Sequence, residues 1–132
     1  MKLQRITMMR VLFVVMAVSL AGPVLAQHEG HDESVTVRGE ILDLACYLAH
    51  EAKGSDHISC AKRCVKGGQP MGLLAEDGTV FLLYASHDDG SAYDAAKDFA
   101  GMQVSVTGMK AQQSGMTGIE VHEVKKISGD GK

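Results

Sequence analysis

The chain has 132 residues, a formal net charge of −3, 5% aromatic residues and no tryptophan. That length allows one hydrophobic core, built mainly from aliphatic side chains, and not two. The acidic balance speaks against nucleic acid and anionic membrane surfaces as partners, since both select clustered Lys and Arg.

The N-terminus has the order of parts of a cleavable export signal. Lys2, Arg5 and Arg10 form a positive segment with no acidic residue before Glu29, and Val11 to Ala21 is an apolar run. Gly22 and Pro23 then break the helix, and Val24-Leu25-Ala26 offers small residues for cleavage before Gln27. An apolar run of about a dozen residues is too short for a mature transmembrane helix, which needs roughly 20. The expectation is a signal peptide over 1–26 and a periplasmic or secreted mature chain with no stable membrane insertion. Cleavage there removes three of the 13 basic residues and none of the 16 acidic ones, leaving a formal charge of −6.

Residues 27–34 (QHEGHDES) are polar and lack apolar periodicity, which predicts a flexible His- and acid-containing leader. Val35, Val37 and Ile41 alternate, with Gly39 in phase, giving a first strand that ends near Asp43. Leu44 to Glu51 tolerates a helix and Gly54-Ser55-Asp56 breaks it. A second short helix runs to Val65, stopped by Gly67-Gly68. Met71 to Glu76 and Thr79 to Ala85 flank Asp77-Gly78, a hairpin signal. Ser91 to Ala100 reads as a short helix, Met102 to Thr107 as a strand, Gly108 to Gly118 as a turn region, and Ile119 to Ile127 as the last strand. Residues 128–132 form a tail.

The order of elements is strand, insertion over 44–69, strand, strand, helix, strand, strand. This predicts a mainly β fold over 35–127, a small OB-like five-stranded barrel with a helical insertion after its first strand. The short helix before the fourth strand favours the barrel over a sandwich or an unclosed α+β sheet.

All three cysteines, Cys46, Cys60 and Cys64, fall in the insertion, with His50 and His57 among them. The spacing is C-x3-H-x6-H-x2-C-x3-C. On a helix, His57, Cys60 and Cys64 at i, i+3 and i+7 share a face, and Cys46 and His50 at i, i+4 share another. Two short helices therefore offer a thiolate-and-imidazole pocket, which suits copper or zinc. The competing expectation is a disulfide, because an oxidising compartment favours pairing. Three is an odd number, so one thiol remains free, metal-bound or joined to another chain.

Weaker features are Asp88-Asp89-Gly90 beside His87 and Asp94, which reads as a turn or helix cap ahead of a cation site. Met102, Met109 and Met116 recur every seven residues but cross strand and turn, so core or loop filler is the better reading, with a facing of Met109 and Met116 across a hairpin as the alternative. The chain carries no Ser-His-Asp signature, paired-carboxylate pattern, phosphate loop, C-x-x-C or C-x-x-C-H. Binding is accordingly expected ahead of catalysis, and no catalytic residue is assigned.

The C-x3-C pair alone is similar to the ligand pair of periplasmic copper-delivery proteins of the Sco type. A longer resemblance runs from Val35 to Val124. It joins Gly39-Glu40-Ile41-Leu42-Asp43, Cys46, His50, Cys60, Cys64, Val65-Lys66-Gly67-Gly68 and Val104-Ser105-Val106-Thr107-Gly108. In these motifs the chain resembles a family of small exported bacterial proteins with no agreed activity. The resemblance implies an OB-like barrel, export, and Cys46, His50, Cys60 and Cys64 as the set to test, while His57 rests on helix geometry. Together these features lead to an exported metal-binding or metal-handling protein whose partner is a metal ion or a periplasmic protein. The alternative is a disulfide-stapled interaction or ligand-binding module.

Overall fold

The computed structural model describes residues 33–127; the expected signal peptide, most of the leader and the tail lie outside them. The strands are β1 (Glu33–Asp43), β2 (Met71–Ala75), β3 (Val80–Ala85), β4 (Gln103–Gln113) and β5 (Met116–Lys126). The helices are α1 (Leu44–His50) and α2 (Ile58–Lys66) between β1 and β2, and α3 (Ser91–Ala96) between β3 and β4. The sheet closes into a barrel in the order β1-β2-β3-β5-β4. β3 and β5 pair in parallel, and the other pairings are antiparallel. The expected OB-like barrel is therefore the fold, with the insertion after its first strand and a helix before its fourth.

β1 divides its length between its two neighbours. Glu33 to Glu40 align with β4, and Gly39 to Asp43 align with β2. Its first half is half-exposed, with Val35 and Val37 turned toward the core. Its last five residues, Gly39 to Asp43, are all buried. A strand buried on both faces needs a cover on its outer side. The two-faced burial coincides with the insertion, whose Ala61 and Val65 join Ile41, Leu73 and Val104 in one aliphatic cluster. The buried Glu40 carboxylate accepts the Gly54 amide at 2.5 Å, tying the loop between α1 and α2 to β1.

The segment after α3 is pinned to the same strand. Ile41 donates its amide to the Met102 carbonyl (3.1 Å), and Gly101 donates to the Ile41 carbonyl (2.7 Å). Asp89 accepts the Ser91 amide at 2.9 Å ahead of α3, and Asp94 pairs with Lys97, so this acidic stretch serves turn and helix.

Two local readings change. Glu33 and Ser34 belong to β1, where Glu33 stands opposite Lys110 and their side chains pair at 2.8 Å. The expected turn region over 108–118 is mostly strand: β4 runs to Gln113, β5 starts at Met116, and only Ser114-Gly115 turns. Both turn residues have positive φ (51° and 81°), as a tight hairpin of the primed type requires. Gly108 sits inside β4 because a neighbouring backbone group comes too close for a side chain, and Gly118 sits inside β5 where the Tyr84 ring and the Leu82 carbonyl leave a Cβ a tight fit. A Cβ at Gly108 would collide with the Glu120 carbonyl, beside a break in the β4–β5 register. Met109 pairs with Glu120 and Met116 with Gln113, so the two methionines are not opposed.

Gly108→Ala is expected to lower stability by about 1–3 kcal/mol, the usual range for forcing extra volume into a packed site. A urea midpoint unchanged from wild type would contradict the close approach of β4 and β5.

Candidate metal centre

The site begins where β1 ends. Asp43 leaves the strand in an extended conformation, and its Oδ1 accepts the amides of Ala45 (3.0 Å) and Cys46 (3.4 Å). This is an N-cap, which satisfies the first free amides of α1. It also fixes Cys46 in the first turn of α1, one turn of chain away from the Asp43 carboxylate. Asp43 is 1% exposed, and its other oxygen, Oδ2, has no hydrogen-bond partner.

α2 supplies the remaining donors. Ala61 and Val65 are its buried positions and face the barrel. Cys60 and Cys64 each precede one of them, which puts the two thiols on the neighbouring stripe about 100° round the helix. Core burial thus sets the rotation of α2, and the rotation brings the cysteines to α1. His57 caps the start of α2 from a 3₁₀ turn over Ser55–His57. The Arg63 guanidinium donates to Cys60 Sγ at 3.6 Å, and Lys66 anchors the end of the helix to Asp98 at 2.5 Å.

Two sets of donor atoms result. Cys46, His57 and Cys60 form one, and Asp43, Cys46 and Cys64 form the other; within each, the donors lie within 4.8 Å of one another. Cys46 belongs to both. All three cysteines carry free thiols and are half-buried. His50 joins neither set: it is the exposed last residue of α1, one turn beyond Cys46. Of the five residues the sequence singles out, four therefore converge. Asp43 is a donor that sequence reasoning missed. Its signal was present as an Asp three residues before Cys46, but that spacing reads equally as a helix cap, and it is one.

The electrostatics follow from this packing. The Cys46 thiol is pushed up to about 12 from its ordinary 9.0, first by the adjoining Asp43 carboxylate, then by burial and the neighbouring charges. Cys64 is raised as well, by burial first and then by Asp43 and Cys60. Burial pushes Asp43 up, but the two thiols and the amides of Cys46 and Ala45 outweigh it, leaving the carboxyl below its ordinary value. The group is thus an ionised carboxylate against protonated thiols.

Among the described residues, the buried side-chain nitrogen or oxygen atoms without a partner are Asp43 Oδ2 and His57 Nε2. Each belongs to a residue of these two sets. A buried polar group left unpaired costs on the order of 1–3 kcal/mol, and a cation among the thiols offers both residues a partner. Thiolate, imidazole and carboxylate together make the donor set of a borderline or soft ion. These residues are close enough to hold a metal. The chain matches no family model, no curated protein and no solved structure, so the site's own geometry carries the functional argument.

With its pKa raised, Cys46 in the reduced, metal-free protein keeps its proton at pH 8. Its alkylation by iodoacetamide is expected to be far slower than that of the same thiol in unfolded protein, and to quicken as pH rises. Asp43→Asn should accelerate it at constant pH. Equal rates in folded and unfolded protein, read by peptide mass mapping, would contradict the Asp43 contact.

Proposed function

We propose that this is an exported protein that binds copper or zinc through a cluster centred on Cys46, acting in metal handling without catalysis. The observation that carries the reading is the meeting of three free thiols with two residues whose buried polar atoms lack partners. A structural core has no use for such a group unless something completes it. Export is supported by the N-terminal charge, apolar run and small-residue site. Among the described residues, no helix is long and apolar enough to cross a membrane. Outside the cytosol, thiols are prone to pair or to be captured by metal, and an odd cysteine count leaves metal as a natural fate for the third.

Protein purified without oxygen is expected to carry close to one equivalent of copper or zinc, and Cys46→Ser to lose it. Because binding displaces thiol protons, affinity should rise with pH. Free metal at 100 times its dissociation constant stabilises a fold by about 2.7 kcal/mol, which raises Tm by on the order of 10 °C in a domain of this size. Metal-free protein whose Tm ignores both ions would overturn the proposal.

A second reading, a ligand-binding module, rests on a separate feature. An open groove of about 440 Å³ lies against β3 and the β4–β5 hairpin, with Leu82, Tyr84, Ala111 and the exposed Met116 among its lining residues. Its lining is apolar and includes none of the cysteines. A metal-independent Tm together with one intramolecular disulfide would favour this reading.

A further inference from the structure

The two donor sets differ in one chemical respect. Each contains two thiols, one of them Cys46, but the third donor is the neutral imidazole of His57 in one and the carboxylate of Asp43 in the other. Taking the metal-binding reading above as its basis, we propose that the two sets are alternative positions that sort ions by charge and softness. A monovalent soft ion, Cu(I), takes Cys46, Cys60 and His57. A divalent borderline ion, Zn(II), takes Asp43, Cys46 and Cys64.

Two independent physical effects point the same way. Direct contact with the Asp43 carboxylate is worth twice as much Coulomb energy to a dication as to a monocation at equal distance. Asp43 is 1% exposed, so water screens this contact little. Asp43 lies beside the cluster whichever set is filled, because Cys46, whose amide it caps, belongs to both. What changes is whether the ion touches it. Softness adds to this: thiolate and imidazole suit Cu(I), whereas a carboxylate oxygen suits a harder cation and is an ordinary ligand for zinc. Either ion displaces two thiol protons, from Cys46 and Cys60 in one set and from Cys46 and Cys64 in the other.

Sharing Cys46 makes the two positions competitive. An ion in one set holds the sulfur that the other requires, so loading with Zn(II) should weaken the uptake of Cu(I), and the reverse. Such a site distinguishes ions by place and not only by affinity.

The test measures affinities for Zn(II) alone and for Cu(I) alone in the reduced full chain without oxygen, by competition with a chromophoric chelator. Asp43→Asn is expected to weaken Zn(II) relative to Cu(I) by more than about tenfold, the lower bound set by losing even an outer partner of a ligand. His57→Ala should do the opposite, and Cys46→Ser should weaken both. Asparagine retains the oxygen that caps α1, so the Asp43 variant is expected to fold; Cys64→Ser is the second probe of that set if it does not. If Asp43→Asn and His57→Ala change the two affinities by the same factor, the site is undivided and the sorting is refuted while metal binding stands. Simultaneous tight binding of one Cu(I) and one Zn(II) would likewise refute competition through Cys46. Failure of the wild-type chain to bind either ion would refute the metal reading itself.

Discussion

The carboxylate of Asp43 sits at the one point where barrel, insertion and candidate metal centre meet. One of its oxygens closes the first turn of α1, and the other lies buried without a partner beside two thiols. Burying a charge is costly unless hydrogen bonds or counter-charges compensate. The amides of Ala45 and Cys46 supply part of that compensation. The neighbouring thiols help hold the carboxyl below its ordinary value, but Oδ2 is left without a hydrogen-bond partner, which a bound cation would supply. The same group therefore ends the strand, starts the helix and sets the protonation of Cys46.

The position of the cluster depends in turn on how β1 is covered. Because its C-terminal half is buried on both faces, the strand requires apolar side chains above it, and Ala61 and Val65 of α2 provide them. Each lies one residue after a cysteine, so packing on the barrel and presentation of the thiols are one geometric fact. The bond from Gly54 to Glu40 and the ion pair between Lys66 and Asp98 hold the two ends of this unit to the domain. The exposed ion pair adds little energy by itself. The buried Glu40 contact matters more, since its loss would leave a carboxylate unpaired.

An odd number of cysteines gains meaning from the compartment in which they work. In a reducing cytosol three free thiols need no special account, but in the exported protein proposed here they do. Two thiols sharing a carboxylate whose charge keeps them protonated are poor nucleophiles, which fits binding better than thiol catalysis. On the metal-binding reading proposed above, deprotonation is instead coupled to the arrival of a cation, whose charge offsets that of Asp43. On the reading proposed here, Cys46 is the hinge of this chemistry because it alone reaches both halves of the cluster.

Much of the fold was legible in the chain itself. Alternation at Val35, Val37 and Ile41, the Asp77-Gly78 turn and the helix ahead of Val104 imply an OB-like barrel, since strand period and turn chemistry are local properties. Helical spacing likewise put Cys60 and Cys64 on one stripe of α2, whereas His57, expected on the same face, stands at the N-cap and groups with Cys60 but not with Cys64. The glycines of β4 and β5 misled, because Gly108 reads the same whether it frees a turn or admits a neighbouring carbonyl, and only the strand opposite tells them apart. The site divides in the same way. Residue type and spacing along α2 determined which side chains could act together, because a helix carries its own geometry. Which of them actually meet was decided by the packing of α2 on β1, which draws in Asp43 from the strand end and leaves His50 in solvent, a relation between segments that no local period contains.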